Sequence, residues 1–175
     1  MPLGTDPALI VRRFAPEEWR VYRDLRLHAL QESPDAFGST HVHEARRSDS
    51  EWAARLARGV HSSSDLPAVA EVNGEPCGLA WTRIDETAPD IAHLYQMWVA
   101  PAWRGHGVGR GLLDAAVAWA RLAGARVLEL SVTSGNSKAR RLYERAGFRP
   151  TGELRPLRSG SPLESETMHL SLEQA

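Results

Sequence analysis

Residues Met97–Ala120 read MWVAPAWRGHGVGRGLLDAAVAWA. The stretch changes character twice. Up to Ala100 it completes an apolar, strand-forming run that begins at Ile91, and Pro101 breaks that run. From Val108 onward, Leu112, Ala116 and Ala120 recur on one helical face with Leu113 and Val117 beside them, and Gly124 ends the helix. Between strand and helix lies RGHGVG, Arg104–Gly109. The first amides of a helix have no internal partners and sit at the positive end of its dipole. Glycines let further amides approach a ligand without a Cβ in the way. A turn of this kind suits an anion, a diphosphate above all, and Arg104 and Arg110 add positive charge. Standing alone, a glycine-rich turn is more often just a turn.

Two phosphate loops fail on spacing. A dinucleotide fingerprint counted from Gly105 and Gly107 meets Arg110 where a third glycine belongs, and counted from Gly107 and Gly109 it meets Leu112. A nucleoside-triphosphate loop needs Gly-Lys-Ser or Gly-Lys-Thr, which is absent.

Downstream, ARVLELSV (Ala125–Val132) is nearly continuous in apolar residues, as in a strand covered on both faces. NSKARRLYERA (Asn136–Ala146) predicts a short helix capped by Asn136 or Ser137 and stopped by Gly147. FRPTGEL and ETMHLSL predict two closing strands. Upstream, Ala8–Phe14 predicts a strand, and Pro16 opens a helix whose apolar face carries Trp19, Tyr22, Leu25 or Arg26, Ala29 and Leu30 before Pro34 ends it. SPDAFGSTHVHEARR is read as an irregular polar segment. SDSEWAARLARG is read as a second helix, capped by Ser48 or Ser50 and stopped by Gly59. LPAVAEV and EPCGLAWTRI flank Asn73-Gly74, a hairpin signal. The order is β-α-α-β-β-β-α-β-α-β-β, with a right-handed βαβ crossover in its second half. It predicts an α/β fold: a mixed sheet flanked by helices.

A chain of 175 residues suits one domain with a substantial core, here spanning 1–175. With 21 basic and 22 acidic residues, the net charge of −1 argues against a general nucleic-acid or membrane-surface binder. The single cysteine, Cys77, cannot form an internal disulfide. MPLGTDPALIV has no signal-peptide pattern, and no apolar run is long enough to span a bilayer. The expectation is a cytoplasmic protein.

The pattern that does fit the turn is Arg-x-x-Gly-x-Gly, at Arg104, Gly107 and Gly109. Here the chain resembles the GNAT superfamily of acyl-CoA-dependent N-acetyltransferases. A second motif, Asn-x-x-Ala-x-x-x-Tyr-x-x-x-Gly-Phe, matches at Asn136, Ala139, Tyr143, Gly147 and Phe148. The resemblance implies a mostly antiparallel central sheet of about seven strands, about four flanking helices, and a pair of parallel strands that splay apart. It implies acetyl-CoA as co-substrate, no metal, and an amine acceptor as partner; monomer and homodimer both stay open. Residue by residue, it assigns the amides of Arg104, Gly105, His106, Gly107, Val108 and Gly109, with Arg110 nearby, to the coenzyme A diphosphate. Met97, Trp98 and Val99 would pair with the pantetheine arm, a backbone N–H near Met97 or Trp98 would receive the oxyanion, and Asn136 would bond the pantetheine or orient the loop beside it. Lys138 would touch a ribose phosphate.

Tyr143 falls where the family places its general acid, although helical periodicity alone would read it as a core tyrosine. His93 lies on the fourth strand, where some members carry a carboxylate base. An imidazole, with a reference pKa of about 6.5, suits that task, and a hydrogen-bonded strand histidine is an equal reading. Tyr95 shares the strand face of His93. Members that acetylate ribosomal protein N-termini tend to carry glutamate five positions before the asparagine. Here that position is Ser131, with Glu129 two residues earlier, which weakens that role. HVHE (His41–Glu44) reads as a polar loop rather than a metal site, and Arg140, Arg141 and Arg145 as a solvated helix face. Glu32 and Asp35 either attract a cationic amine or simply end a helix and form a turn. Three functions compete: acetylation of a small amine, acetylation of a protein or peptide, and coenzyme sensing without catalysis.

Overall fold

The computed structural model describes residues 8–173. Most of MPLGTDPALIV, the stretch read as lacking a signal-peptide pattern, lies outside those residues. Seven strands form one sheet: β1 (Leu9–Arg13), β2 (Asp65–Val72), β3 (Glu75–Ile84), β4 (Ile91–Val99), β5 (Val127–Thr133), β6 (Arg149–Pro156) and β7 (Glu164–Ser171). Their order across the sheet is β1-β2-β3-β4-β5-β7-β6. Every neighbouring pair is antiparallel except β4 and β5. The β2–β3 hairpin turns on Asn73 and Gly74, both at positive φ, as an Asn-Gly turn requires.

Five α-helices flank the sheet: α1 (Trp19–Glu32), α2 (His41–Glu44), α3 (Asp49–His61), α4 (Val108–Leu122) and α5 (Ser137–Arg145). Alternation along the strands divides the core in two. On one face, Val108, Leu112, Leu113, Ala116 and Ala120 of α4 pack over Ala68, Ala70, Ala92 and Leu128 of the sheet. On the other, Tyr22 and Leu30 of α1 and Trp52 and Leu56 of α3 pack over Val69, Leu79, Trp81 and Trp98.

Two expectations are corrected. HVHE is not a loop but the single turn of α2, whose N-cap Thr40 accepts a hydrogen bond from His43 N; this adds a fifth helix to the expected four. Local chemistry outweighed the polar composition: Glu44 is buried and ion-paired to Arg47 at 2.9 Å and Arg55 at 2.8 Å, fixing the turn against α3. Gly59 does not stop α3, which continues to His61. It is there because a Cβ would fall 2.2 Å from Trp81 Cζ2, so only glycine lets α3 lie this close to the sheet. Of the two serines expected to cap α3, Ser48 is the N-cap, and Glu51 completes a capping box with it.

Candidate active site

The parallel pair sets the site. β4 and β5 pair only at Ile91–Val127, Ala92–Leu128 and His93–Glu129. Beyond His93 they part, and a cavity of about 820 Å³ opens, lined among others by Tyr95, Gln96 and Met97 of β4, Leu130 and Ser131 of β5, and Tyr143 of α5. The divergence has a local cause. Leu79 faces Trp98 and Trp81 faces Tyr95, so Gln96 and Met97 together oppose Ala80 in a bulge. Gln96 takes φ 56°, a left-handed conformation uncommon for a residue with a Cβ. Its Oε1 accepts a 2.9 Å hydrogen bond from Tyr22 Oη of α1, which anchors the bulge. Past the bulge, Ala100 N donates to Cys77 O of β3 at 2.8 Å. Strand alternation therefore turns the amides of Val99 and Met97 towards the open side and that of Trp98 towards β3. Trp98 contributes its side chain instead: Nε1 donates to Glu32 Oε2 at 2.9 Å.

The glycine turn lies at the end of β4. Gly105 and Gly107 have φ 78° and 82°, and a Cβ on either would meet nothing within 4 Å. Conformation, not crowding, selects glycine there. Gly109 serves packing: its Cβ would lie 3.2 Å from Leu142 Cδ2 and 3.7 Å from Met97 Cε, so α4 seats directly on β4 and α5. Gly107 is the N-cap of α4 and no side chain caps that helix, whereas Thr40, Ser48 and Asn136 cap α2, α3 and α5. Buried Val108 pins the first turn while its neighbours stay at the surface. An uncapped helix start beside open glycines fits a diphosphate.

The arginines expected to add positive charge to the turn are both paired with carboxylates. Arg104 Nη2 bonds Glu32 Oε2 at 2.7 Å and its Nε bonds Val99 O at 3.0 Å, while its amide donates to Pro101 O at 3.3 Å. Arg110 Nε bonds Asp114 Oδ1 at 2.8 Å, both side chains exposed. Arg104 thus staples the turn to the end of α1. The same contact decides between the two readings of Glu32. The Arg104 hydrogen bonds lower its pKa to about 2, with Ser33 and Trp98 adding to the effect against some burial. Glu32 is a compensated structural carboxylate. His106 is exposed, its Nδ1 donating to Arg104 O at 3.0 Å. Asn136 caps α5, its Oδ1 accepting from Ala139 N at 3.3 Å, and Lys138 is exposed on the first turn of that helix. Of the expected solvated arginines on α5, Arg140 is instead paired with Glu144 and Glu166.

Tyr143 is buried, its ring 5.9 Å from that of Phe148, and it lines the cavity. Burial pushes its pKa up to about 12. His93 also lines the cavity, with Tyr95 stacked on it at 5.8 Å. Asp85 sits 2.9 Å from His93 Nε2 and is held well below the usual carboxylate range by Thr87, His93 itself and the amides of Thr87 and Ala88. An ionised carboxylate only accepts, so Nε2 carries the proton. His93 Nδ1 faces Glu129 Oε1 at 3.3 Å, and Glu129 Oε2 accepts from His169 Nε2 at 2.7 Å. Sequence reasoning missed Asp85 and Gln96. No local pattern marks either, since one depends on a β3–β4 loop folding back and the other on a bulge without glycine. Arg26 was named only as an alternative to Leu25 on the apolar face of the first helix; it is buried and lines the same cavity.

Among the described residues, no group of three or more His, Cys, Asp or Glu side chains is placed to hold a metal, and no helix is long and apolar enough to cross a membrane. A parted strand pair beside an uncapped glycine turn is an arrangement with known relatives. The model of the acetyltransferase (GNAT) family matches residues 23–148, and the chain belongs to that family. Mycothiol acetyltransferase of Propionibacterium freudenreichii is 34% identical over 95 residues, 54% of this chain and 30% of that protein. N-alpha-acetyltransferase 40 of Saccharomyces cerevisiae is 37% identical over 94 residues, 49% of this chain and 32% of that protein. The chain thus spans about a third of the length of such relatives. Among solved structures, yncA of Salmonella typhimurium with its cofactor acetyl-CoA aligns with TM-score 0.77 and 23% identity over 96% of both chains. A GNAT-family acetyltransferase of Streptococcus pneumoniae aligns with TM-score 0.80 and 22% identity, covering 95% of this chain and 100% of that one.

Proposed function

We propose that the protein transfers an acetyl group from acetyl-CoA to a primary amine of a small molecule. The observation that carries this reading is the cavity that opens where β4 and β5 part, lined by Met97 and Tyr143, with Gly109 at the uncapped start of α4 packed against Met97. Bound acetyl-CoA supplies an activated thioester. Amides from Gly105 to Arg110 hold its diphosphate, with Lys138 near a phosphate. The amides of Met97 and Val99 pair with the pantetheine arm, and Asn136 Nδ2 adds a donor beside it. Met97 N–H faces the negative charge that develops on the acyl oxygen, and one such donor contributes roughly 3 kcal/mol in well-studied hydrolases.

The amine nitrogen attacks the acyl carbon and the carbon–sulfur bond breaks. Tyr143 Oη donates its proton to the departing sulfur, and its raised pKa keeps it protonated for this purpose. The nitrogen's surplus proton passes to His93 Nδ1, directly or through water. Asp85 fixes the ring through Nε2–H, and Glu129 stands ready to stabilise the proton on Nδ1. The products are an amide and a free thiol.

Protein N-terminal acetylation is the second reading, favoured by the match to N-alpha-acetyltransferase 40. Ser131 stands on the cavity wall where a catalytic glutamate would serve that reaction, which supports the small-molecule reading. The test is a panel of small amines and N-terminal peptides with acetyl-CoA, followed by thiol release. Turnover with small amines and none with peptides is expected; peptide-only turnover would select the second reading, and no turnover would reject transfer.

A further inference from the structure

The cavity lined by Tyr143 is also lined by arginines, Arg26, Arg47, Arg55, Arg58, Arg83 and Arg155. Arg26 of α1 lies one helical turn after Tyr22, on the face that packs against the sheet, and keeps only 3% of its surface exposed. Its Nε and Nη1 are buried without a hydrogen-bond partner among the described residues. Its guanidinium stacks on Phe37, 4.7 Å from the ring centroid. The nearby carboxylate, Glu44, is spent on Arg47 and Arg55. Burial lowers Arg26 to about 10, which still leaves it charged at neutral pH. Glu44 acts on Arg26 only through space, and a buried cation without a hydrogen-bonded counter-ion is expensive. Arg55, Arg58 and Arg83 line the same cavity. Arg55 and Arg83 have protein partners, Glu44 and Asp65, which leaves Arg26 as the buried wall cation without a hydrogen-bonded carboxylate among the described residues.

We infer that Arg26 forms a subsite for a carboxylate carried by the acceptor, so that the acceptor is an amino acid rather than a polyamine or simple alkylamine. This rests on the acetyl-transfer reading. The acceptor's carboxylate docks against α1 while its amine reaches towards Tyr143, and the hydrogen-bonded carboxylate that Arg26 lacks arrives with the substrate. A polyamine would set its own positive charges against this wall.

The test pairs α- and ω-amino acids with their carboxamides and with the corresponding amines lacking the carboxyl group, and follows thiol release. The free acids are expected to have kcat/KM about tenfold or more above their neutral counterparts, the scale of one charge-assisted hydrogen bond. Arg26→Gln should remove the preference chiefly through KM, while Arg26→Lys should keep part of it. Protection by acetyl-CoA against heat checks that each variant is folded. A second arm needs no turnover: succinate should raise the melting temperature of the wild type more than succinamide does, and Arg26→Gln should abolish the difference. Equal turnover of acids and neutral amines overturns the subsite and leaves acetyl transfer standing. A preference that survives in folded Arg26→Gln also overturns it. If no amine reacts, transfer fails as a reading, and the succinate comparison still decides the subsite.

Discussion

Replacing Tyr143 by phenylalanine separates chemistry from packing at one atom. The tyrosine ring is buried against Phe148, and phenylalanine preserves that contact. Burial alone shifts the hydroxyl's titration, with no hydrogen-bonding group contributing. Removing the oxygen therefore strands no partner, and the fold should keep its stability to within about 1 kcal/mol, the net scale of a single hydrogen bond. Loss of a positioned general acid typically lowers turnover by about 10²–10⁴-fold. That corresponds to about 3–5 kcal/mol of the activation barrier. The assay is steady-state thiol release at saturating acetyl-CoA, with thermal melting of the same preparation. The expected result is a fall in kcat of at least about 100-fold, with melting temperature and acetyl-CoA affinity nearly unchanged. A kcat within threefold of wild type would remove Tyr143 from the reaction. A large drop in melting temperature would show that its oxygen serves the fold after all. The pKa of about 12 adds a constraint: the acid stays protonated up to that pH, so Tyr143 imposes no alkaline limb on the rate profile below it.

Three further outcomes follow from individual contacts. His93→Ala should flatten the acidic limb of the kcat/KM profile, and an unaltered limb would reject His93 as the base. Glu32, lowered from 4.5 to about 2 by Arg104, favours the folded state above pH 4.5, and that contribution is lost as pH falls towards 2. Glu32→Gln should therefore melt earlier at neutral pH yet lose less stability on acidification. Parallel acid dependences would show that the Arg104 contact contributes nothing. Gly59→Ala gains about 1 kcal/mol of helix propensity. It also drives a Cβ to 2.2 Å from a Trp81 ring that is pinned by its 2.7 Å bond to Asp65. Overpacking of about 1–3 kcal/mol should win, lowering the melting temperature, and an unchanged or higher value would contradict the packing argument.

What the sequence revealed was local. The face of α4, the Asn73-Gly74 hairpin and a serine cap at the start of α3 each rest on residues within a few turns of one another, and each appears in the structure, the cap being Ser48. The glycine turn was legible in position but not in charge, because Glu32 lies 72 residues from Arg104. Gly59 read as a stop since its reason, Trp81, belongs to another element. The β4 bulge at Gln96 carries no glycine to announce it, and its anchor Tyr22 is 74 residues away. Arg26 was named only as an alternative to Leu25 on the helix face, and its place in the cavity wall depends on elements far from it in the chain.

In the proposed function, main-chain nitrogens at the start of α4 and along the open edge of β4 receive acetyl-CoA. Residue-resolved amide exchange with and without acetyl-CoA tests it most directly. Slowed exchange should concentrate at Gly105–Arg110 and at Met97 and Val99. Exchange unchanged at these amides in the saturated protein, or slowed only elsewhere, would contradict the account.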